Sequence, residues 1–64
     1  MVYENLLNTK QAAELLRLVP GTLRNWRRRK RGPKFIKISR SLVRYRPEHL
    51  EEFLSENAVE TEVA

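Results

Sequence analysis

The sequence predicts a mainly α-helical domain of three short helices, with a small two-stranded β-hairpin before the third. Apolar residues first recur at helical spacing, then alternate with polar residues from Phe35 to Arg46, and then return to helical spacing. A capping residue or a proline stands at the start of each helical stretch. Because 64 residues leave room for one domain, we expect it to occupy residues 1–55, followed by a disordered acidic tail at 56–64.

The first helix is predicted to begin at Asn8 or Thr9. Asn8 stands three residues before Gln11, which is the spacing of a capping box. The segment that follows has high helix propensity, and its inward face carries Ala12 and Ala13. Two small side chains on that face allow a second helix to cross closely above them.

The second helix is predicted to begin at Pro20, because proline fits the first turn of a helix. Leu23 and Trp26 repeat three residues apart, which predicts that both pack into the core. Gly32-Pro33 is expected to end this helix, since glycine adopts the left-handed conformation that follows many helices and proline cannot continue one.

The alternating segment predicts two short strands joined by a turn at Ser39-Arg40-Ser41. A lone hairpin is marginally stable in water, so its apolar face must lie against the helices. The alternation assigns four residues to that apolar face: Ile36, Ile38, Val43 and Tyr45. The same alternation puts Lys37 and Arg44 together on the polar face.

The third helix is predicted to begin at Pro47 and to close the core. Leu50, Phe53 and Leu54 fall at i, i+3 and i+4 spacing, which is typical of a buried helix face. His49 is bordered by acidic residues on the same helix and is expected to be exposed, without a catalytic role.

The positive charge is concentrated in one part of the chain. Eleven of the thirteen lysine and arginine residues lie between Arg24 and Arg46, a segment without any aspartate or glutamate. The formal net charge is +5, and the glutamates lie outside that segment. Such a polarised chain suits a polyanion that docks on one face.

Several classes of function are excluded by composition. Cysteine and aspartate are absent and there is one histidine, so we expect no disulfide framework, metal site or cofactor site. The scattered glutamates form no catalytic pair, and the protein is not expected to be an enzyme. Without an apolar run long enough for a membrane or a signal peptide, it is expected in a reducing cytoplasm.

Two short helices separated by a tight turn predict a helix-turn-helix, and the hairpin is then a candidate wing. The helix within residues 20–30 would read duplex DNA in the major groove, with Asn25 suited to adenine and Arg24 or Arg28 suited to guanine. Thr22 and the backbone amides near Gly21 would meet a phosphate. The complete predicted DNA-binding set is Thr22, Arg24, Asn25, Arg28, Arg29, Lys37, Arg40, Ser41 and Arg44.

Each of these assignments has a structural alternative. The run from Arg27 to Arg31 also fits a solvated helix face, in which Arg27 and Lys30 lie near the core side. Charges on the hairpin also protect edge strands from aggregation. The aromatic residues Trp26, Phe35 and Tyr45 are assigned to the scaffold, although Tyr45 has a hydroxyl able to bond a phosphate.

Five blocks of the sequence together carry a family pattern: LLNTKQAAELL at 6–16, PGTLRNW at 20–26, GPKFIKI at 32–38, VRYRP at 43–47 and LEEFL at 50–54. Through these blocks the chain resembles the excisionase and AlpA-type branch of the MerR-like winged helix-turn-helix superfamily. It implies a recognition helix in the major groove and a wing along the backbone or in the minor groove. Residue by residue, it points to Thr22, Arg24, Asn25, Arg40 and Ser41.

Three positions depart from the pattern of that family. Arg17 stands where a turn glycine is usual, Val19 where a capping serine is usual, and Ser39 where a wing glycine is common. The effect of Val19 is physical, because valine has no side-chain acceptor for the first amides of the second helix.

The resemblance implies a role in phage or mobile-element biology, and with it a location in the bacterial cytoplasm in association with the nucleoid. The first hypothesis is an excisionase that bends DNA from several nearby sites, with adjacent copies of itself and an integrase or recombinase as partners. The second is an AlpA-like transcription regulator that binds at a promoter. A third hypothesis is an arginine-rich RNA-binding module or a protein-interaction module.

Overall fold

A computed structural model of the protein describes residues 5–59. These residues form three helices and one hairpin, in the order α1 (Thr9–Leu16), α2 (Pro20–Arg28), β1 (Ile36–Ser39), β2 (Leu42–Arg44) and α3 (Pro47–Glu56). The predicted mainly α fold class with a two-stranded wing is therefore confirmed. Residues 1–4, and residues 60–64 of the predicted tail, lie outside the described part of the chain.

Helix α1 is closed at both ends by hydrogen bonds. At its start, the Asn8 side chain accepts from the Gln11 amide at 2.8 Å, and the Gln11 side chain accepts from the Asn8 amide at 2.9 Å. This confirms the predicted capping box. At its end, Arg17 has a φ of 58°, and the Leu18 amide donates to the Ala13 carbonyl at 2.8 Å. A left-handed residue thus ends the helix, although arginine pays a steric penalty that glycine avoids there.

Helix α2 begins at Pro20 as predicted but ends at Arg28, before Gly32-Pro33. The end differs because Lys30 takes the left-handed conformation, with a φ of 54°. The Arg31 amide then donates to the Trp26 carbonyl at 2.8 Å, which is the long hydrogen bond of a Schellman motif. The prediction that glycine would end this helix is therefore wrong.

The start of α2 has no side-chain cap. Val19 is the N-cap residue, in extended conformation, and its side chain is 66% exposed. We expect Val19→Ser to raise the free energy of unfolding by about 1 kcal/mol, because the hydroxyl would accept a hydrogen bond from a first-turn amide. Urea unfolding of this variant, compared with Val19→Ala, would measure the gain. Equal stability of the two variants would contradict the capping argument.

The core lies where α2 crosses α1. It is completed by α3 and by the residue that follows β2. Its buried residues are Ala12, Ala13, Leu23, Tyr45 and Leu50. Trp26 packs against this cluster, and the centroids of the Trp26 and Phe53 rings are 5.6 Å apart. The scaffold roles predicted for Trp26 and Tyr45 are confirmed.

Two predicted core residues are more exposed than expected. Leu54 is 53% exposed, because α3 buries only the side that carries Leu50. Phe35 is 37% exposed and packs against Tyr45 with its ring tilted by 52°, the two ring centroids being 6.2 Å apart. Phe35 therefore lies at the edge of the core, where one side of its ring remains accessible.

The two strands pair in an antiparallel register that divides the apolar residues of the hairpin between two faces. Ile36 pairs with Arg44, and Lys37 pairs with Val43. Cross-strand partners share a face, whereas neighbours along a strand do not. The predicted single apolar face is therefore wrong: Val43 faces the helices, and Ile36 lies on the opposite face.

The hairpin turn and its surroundings add two features. Ser39 belongs to β1 and pairs with Leu42, so the turn itself is Arg40-Ser41, with an irregularity between Lys37 and Ser39. On the other side of β2, Leu7 and Tyr45 exchange backbone hydrogen bonds of 2.8 and 2.7 Å. This bridge ties the segment before α1 to the chain after β2.

The first turn of α3 contains the charged residue Glu48 and the half-buried residue His49. The pKa of Glu48 is lowered by a hydrogen bond from its own backbone amide and by the neighbouring Arg46 guanidinium. His49 is half-buried, and its Nδ1 is buried without a hydrogen-bond partner among the described residues. The predicted exposure of His49 is wrong, and the residue lines a cavity together with Ile36 and Ile38 of β1.

Candidate nucleic-acid interface

An open groove separates α2 from the wing, which consists of β1, β2 and their turn. Its volume is about 470 Å³. The groove is lined by Gly21, Arg24, Arg27, Arg28, Phe35, Lys37, Arg40, Ser41 and Val43. We call the surface formed by these residues the wing groove.

The wing groove is strongly positive. Five of its lining residues are cationic, and none is acidic: Arg24, Arg27, Arg28, Lys37 and Arg40. All of them except Arg27 are exposed. Cations converging on one concave surface raise the local concentration of a polyanion, and the effect weakens as salt screens the charges.

The structure brings together five of the residues predicted to bind DNA. Arg24 and Arg28 are one helical turn apart on α2, and Lys37, Arg40 and Ser41 approach from the wing. Residues from two elements distant in sequence therefore line one surface. This is the geometry expected when a helix and a wing contact the same duplex.

Three other predicted residues, in α2 or directly after it, do not line the wing groove. Asn25 on α2 and Arg29, the residue directly after α2, are both exposed and four residues apart, so they lie near each other beside the wing groove. Thr22 is half-buried in the first turn, where its amide donates to the Val19 carbonyl at 3.0 Å. Gly21 stands beside Thr22, and a side chain added there would meet no atom within 4 Å. The backbone at the start of α2 is therefore accessible.

Arg44 lies on the opposite face of the hairpin from Lys37, because their cross-strand partners, Ile36 and Val43, are on opposite faces. Its Nη1 donates to the Val43 carbonyl at 2.8 Å. The prediction that Lys37 and Arg44 share one polar face is wrong, since the register was not visible in the alternation alone.

Arg27 is the cationic residue of the wing groove that the sequence did not assign to DNA. The prediction put it near the core side, and its guanidinium does reach inward, where Nη1 donates to the Tyr45 hydroxyl at 2.8 Å and to the Thr9 hydroxyl at 3.2 Å. It nevertheless lines the wing groove. The available signal was its position three residues after Arg24, which puts the two on neighbouring parts of the helix surface.

Two short helices joined by a tight turn, followed by a wing and then by a third helix, define a winged helix-turn-helix domain. The model of a helix-turn-helix domain family matches residues 6–58, and the chain belongs to that family. Neither a curated protein nor a solved structure matches the chain significantly.

Membership of this family indicates that the partner is DNA, and domains of this family are typically not enzymes. Among residues 5–59, no helix has the length and apolar character needed to span a membrane.

Proposed function

We propose that this protein is a sequence-specific duplex-DNA-binding protein that acts as an excisionase of a phage or mobile element. The observation that carries the proposal is the wing groove, where Arg24 and Arg28 of α2 face Lys37 and Arg40 of the wing. Support for the excisionase role comes from the resemblance of residues 6–55 to the excisionase and AlpA-type branch of the MerR-like superfamily.

In the proposed complex, α2 enters the major groove, which is about 12 Å wide. Asn25 would pair with adenine, and Arg24 or Arg28 with guanine, since these side chains match those base edges. The accessible backbone at Gly21 and the nearby Thr22 would approach a phosphate. Arg29, directly after α2, would contact the DNA backbone.

The wing would follow the DNA backbone or the adjacent minor groove. Lys37, Arg40 and Ser41 are exposed on the side of the hairpin that lines the wing groove. Arg44 would contribute from the other face, toward a neighbouring phosphate or an adjacent copy of the protein. Several copies on nearby sites would bend the DNA and help an integrase or recombinase.

An AlpA-like transcription regulator would use the same surface, so the bound sites separate the two roles. Closely spaced direct repeats beside a recombination attachment site support the excisionase. A single site overlapping a promoter supports the regulator. Binding to RNA is less favoured, because α2 already packs on a core through Leu23 and Trp26, whereas arginine-rich RNA-binding segments fold on their target.

Selection from a random duplex DNA library tests the proposal. The purified protein is incubated with the library at physiological salt, the retained duplexes are sequenced, and the titration is repeated with duplex RNA as competitor. We expect an enriched motif of several base pairs that RNA does not displace. Absence of a motif, with equal competition by RNA, would leave only a basic surface and reject sequence-specific reading.

A further inference from the structure

The Arg27 side chain is fixed in the wing groove by groups from three other parts of the chain. Its Nη1 donates to the hydroxyls of Thr9, on α1, and of Tyr45, after β2. Its guanidinium carbon lies 5.9 Å from the ring centroids of both Phe35 and Tyr45. An arginine held in this way has lost most of its rotamer freedom before any ligand binds.

The contacts of Arg27 leave part of its binding capacity unused. A guanidinium has five N–H groups, and the hydrogen bonds to Thr9 and Tyr45 both start from Nη1. Within residues 5–59, Nε and Nη2 have no hydrogen-bond partner, and no carboxylate forms an ion pair with Arg27. Among these residues, therefore, no carboxylate offsets the charge of the side chain, and one donor edge is free.

We propose that Arg27 binds a phosphodiester group of DNA at the floor of the wing groove, and that Tyr45 and Thr9 position it. Nε and Nη2 together form the planar donor fork that matches two phosphate oxygens. The four exposed cations around the groove would guide the DNA backbone toward it. This inference rests on the proposed function as a duplex-DNA-binding protein and adds a phosphate contact within it.

Arg27→Met is the direct test, because methionine keeps an unbranched apolar stem and removes the charge. The probe is a random-sequence DNA duplex of about 20 base pairs, titrated at several salt concentrations between roughly 50 and 200 mM. We expect the affinity to fall about tenfold or more at low salt. We also expect the slope of log K against log salt to become shallower by about 0.9, which is the change for one lost phosphate contact.

Lys34→Met is the matched control for the loss of one positive charge. Lys34 is exposed, pairs with Glu52 at 3.1 Å, and does not line the wing groove. We expect it to leave the salt slope nearly unchanged. An equal change of slope in Arg27→Met and Lys34→Met would show only a general charge effect and would overturn the phosphate contact.

Tyr45→Phe tests the positioning role, because it keeps the ring and removes only the hydroxyl that accepts from Arg27. We expect a few-fold weaker affinity with an unchanged salt slope, since the charge remains. In the Arg27→Met background, the same substitution should have no further effect on DNA affinity. A purely structural role of the hydroxyl would instead weaken binding equally in both backgrounds.

Circular dichroism establishes that each variant is folded before it is titrated. If Arg27→Met does not fold, Arg27→Lys is the second test, because lysine retains the charge but lacks the planar donor fork of the guanidinium. We expect this variant to keep the salt slope of the wild-type protein and to bind DNA several-fold more weakly. Unchanged affinity in Arg27→Lys, or an unchanged slope in folded Arg27→Met, overturns the inference while DNA binding stands. Failure of the wild-type protein to bind any duplex would overturn the proposed function itself.

Discussion

Replacing Gly32 by alanine is expected to lower the free energy of unfolding by about 2–4 kcal/mol. Gly32 has a φ of 88°, in the left-handed region that side chains rarely adopt. A Cβ at this position would lie 2.7 Å from Cε3 of Trp26 and 3.2 Å from its Cβ. Trp26 has little room to yield, because its ring also packs against Phe53. Urea unfolding followed by tryptophan fluorescence measures the loss.

Gly21→Ala is the matched control, since the chain has only two glycines. Gly21 has no positive φ, and a Cβ there would meet nothing within 4 Å. Alanine is a better helix former than glycine, so we expect this variant to be more stable by up to about 1 kcal/mol. Equal destabilisation of the two variants would contradict the close approach of Gly32 to Trp26.

Gly21→Ala also separates folding from binding. We expect the variant to bind duplex DNA more weakly although it is at least as stable, because the added methyl group stands where the start of α2 would approach a phosphate. Titration of the duplex recovered by selection measures the effect. Unaltered affinity would place that phosphate contact elsewhere on the domain.

Arg28→Ala is expected to reduce discrimination at one base position by about 1–3 kcal/mol. Arg28 is exposed on α2 and lines the wing groove one turn after Arg24, which suits a side chain that reaches a guanine edge. The selected duplex and its single-base variants are titrated with the wild-type protein and with Arg28→Ala. The mutant should bind the preferred site more weakly while its affinity for the variant at that position changes little.

The control for Arg28→Ala is Lys34→Ala, which removes a charge from an exposed ion pair outside the wing groove. Exposed pairs of this kind contribute little to stability, and we expect base discrimination to be unaffected. If Arg28→Ala instead lowered the affinity equally for every DNA sequence, Arg28 would be assigned to a phosphate contact. Base reading would then be left to Arg24 and Asn25.

The local features of the fold could be read directly from the sequence. The capping box of Asn8 and Gln11 and the helix start at Pro20 depend on residues within one turn of each other. The packing of Leu23 and Trp26 follows from their spacing on a helix. The basic segment between residues 24 and 46 likewise predicted which part of the chain carries the candidate site.

The features that could not be read are those that depend on register or on contacts between distant residues. Alternation alone placed Ile36 and Val43 on one face of the hairpin, whereas the strand pairing puts them on opposite faces. For the same reason, Lys37 and Arg44 lie on opposite faces. The Schellman motif at Lys30 ended α2 earlier than the glycine signal indicated.

By itself, the sequence determined the fold class, the helix starts, most of the core and the basic character of one face, because these follow from local propensity and periodicity. Only the tertiary structure decided which cations share the wing groove. It also held Arg27 between Thr9 and Tyr45, each eighteen residues away in the chain. The physical reason is that such contacts depend on how the helices cross and how the hairpin docks, and no short sequence pattern encodes either.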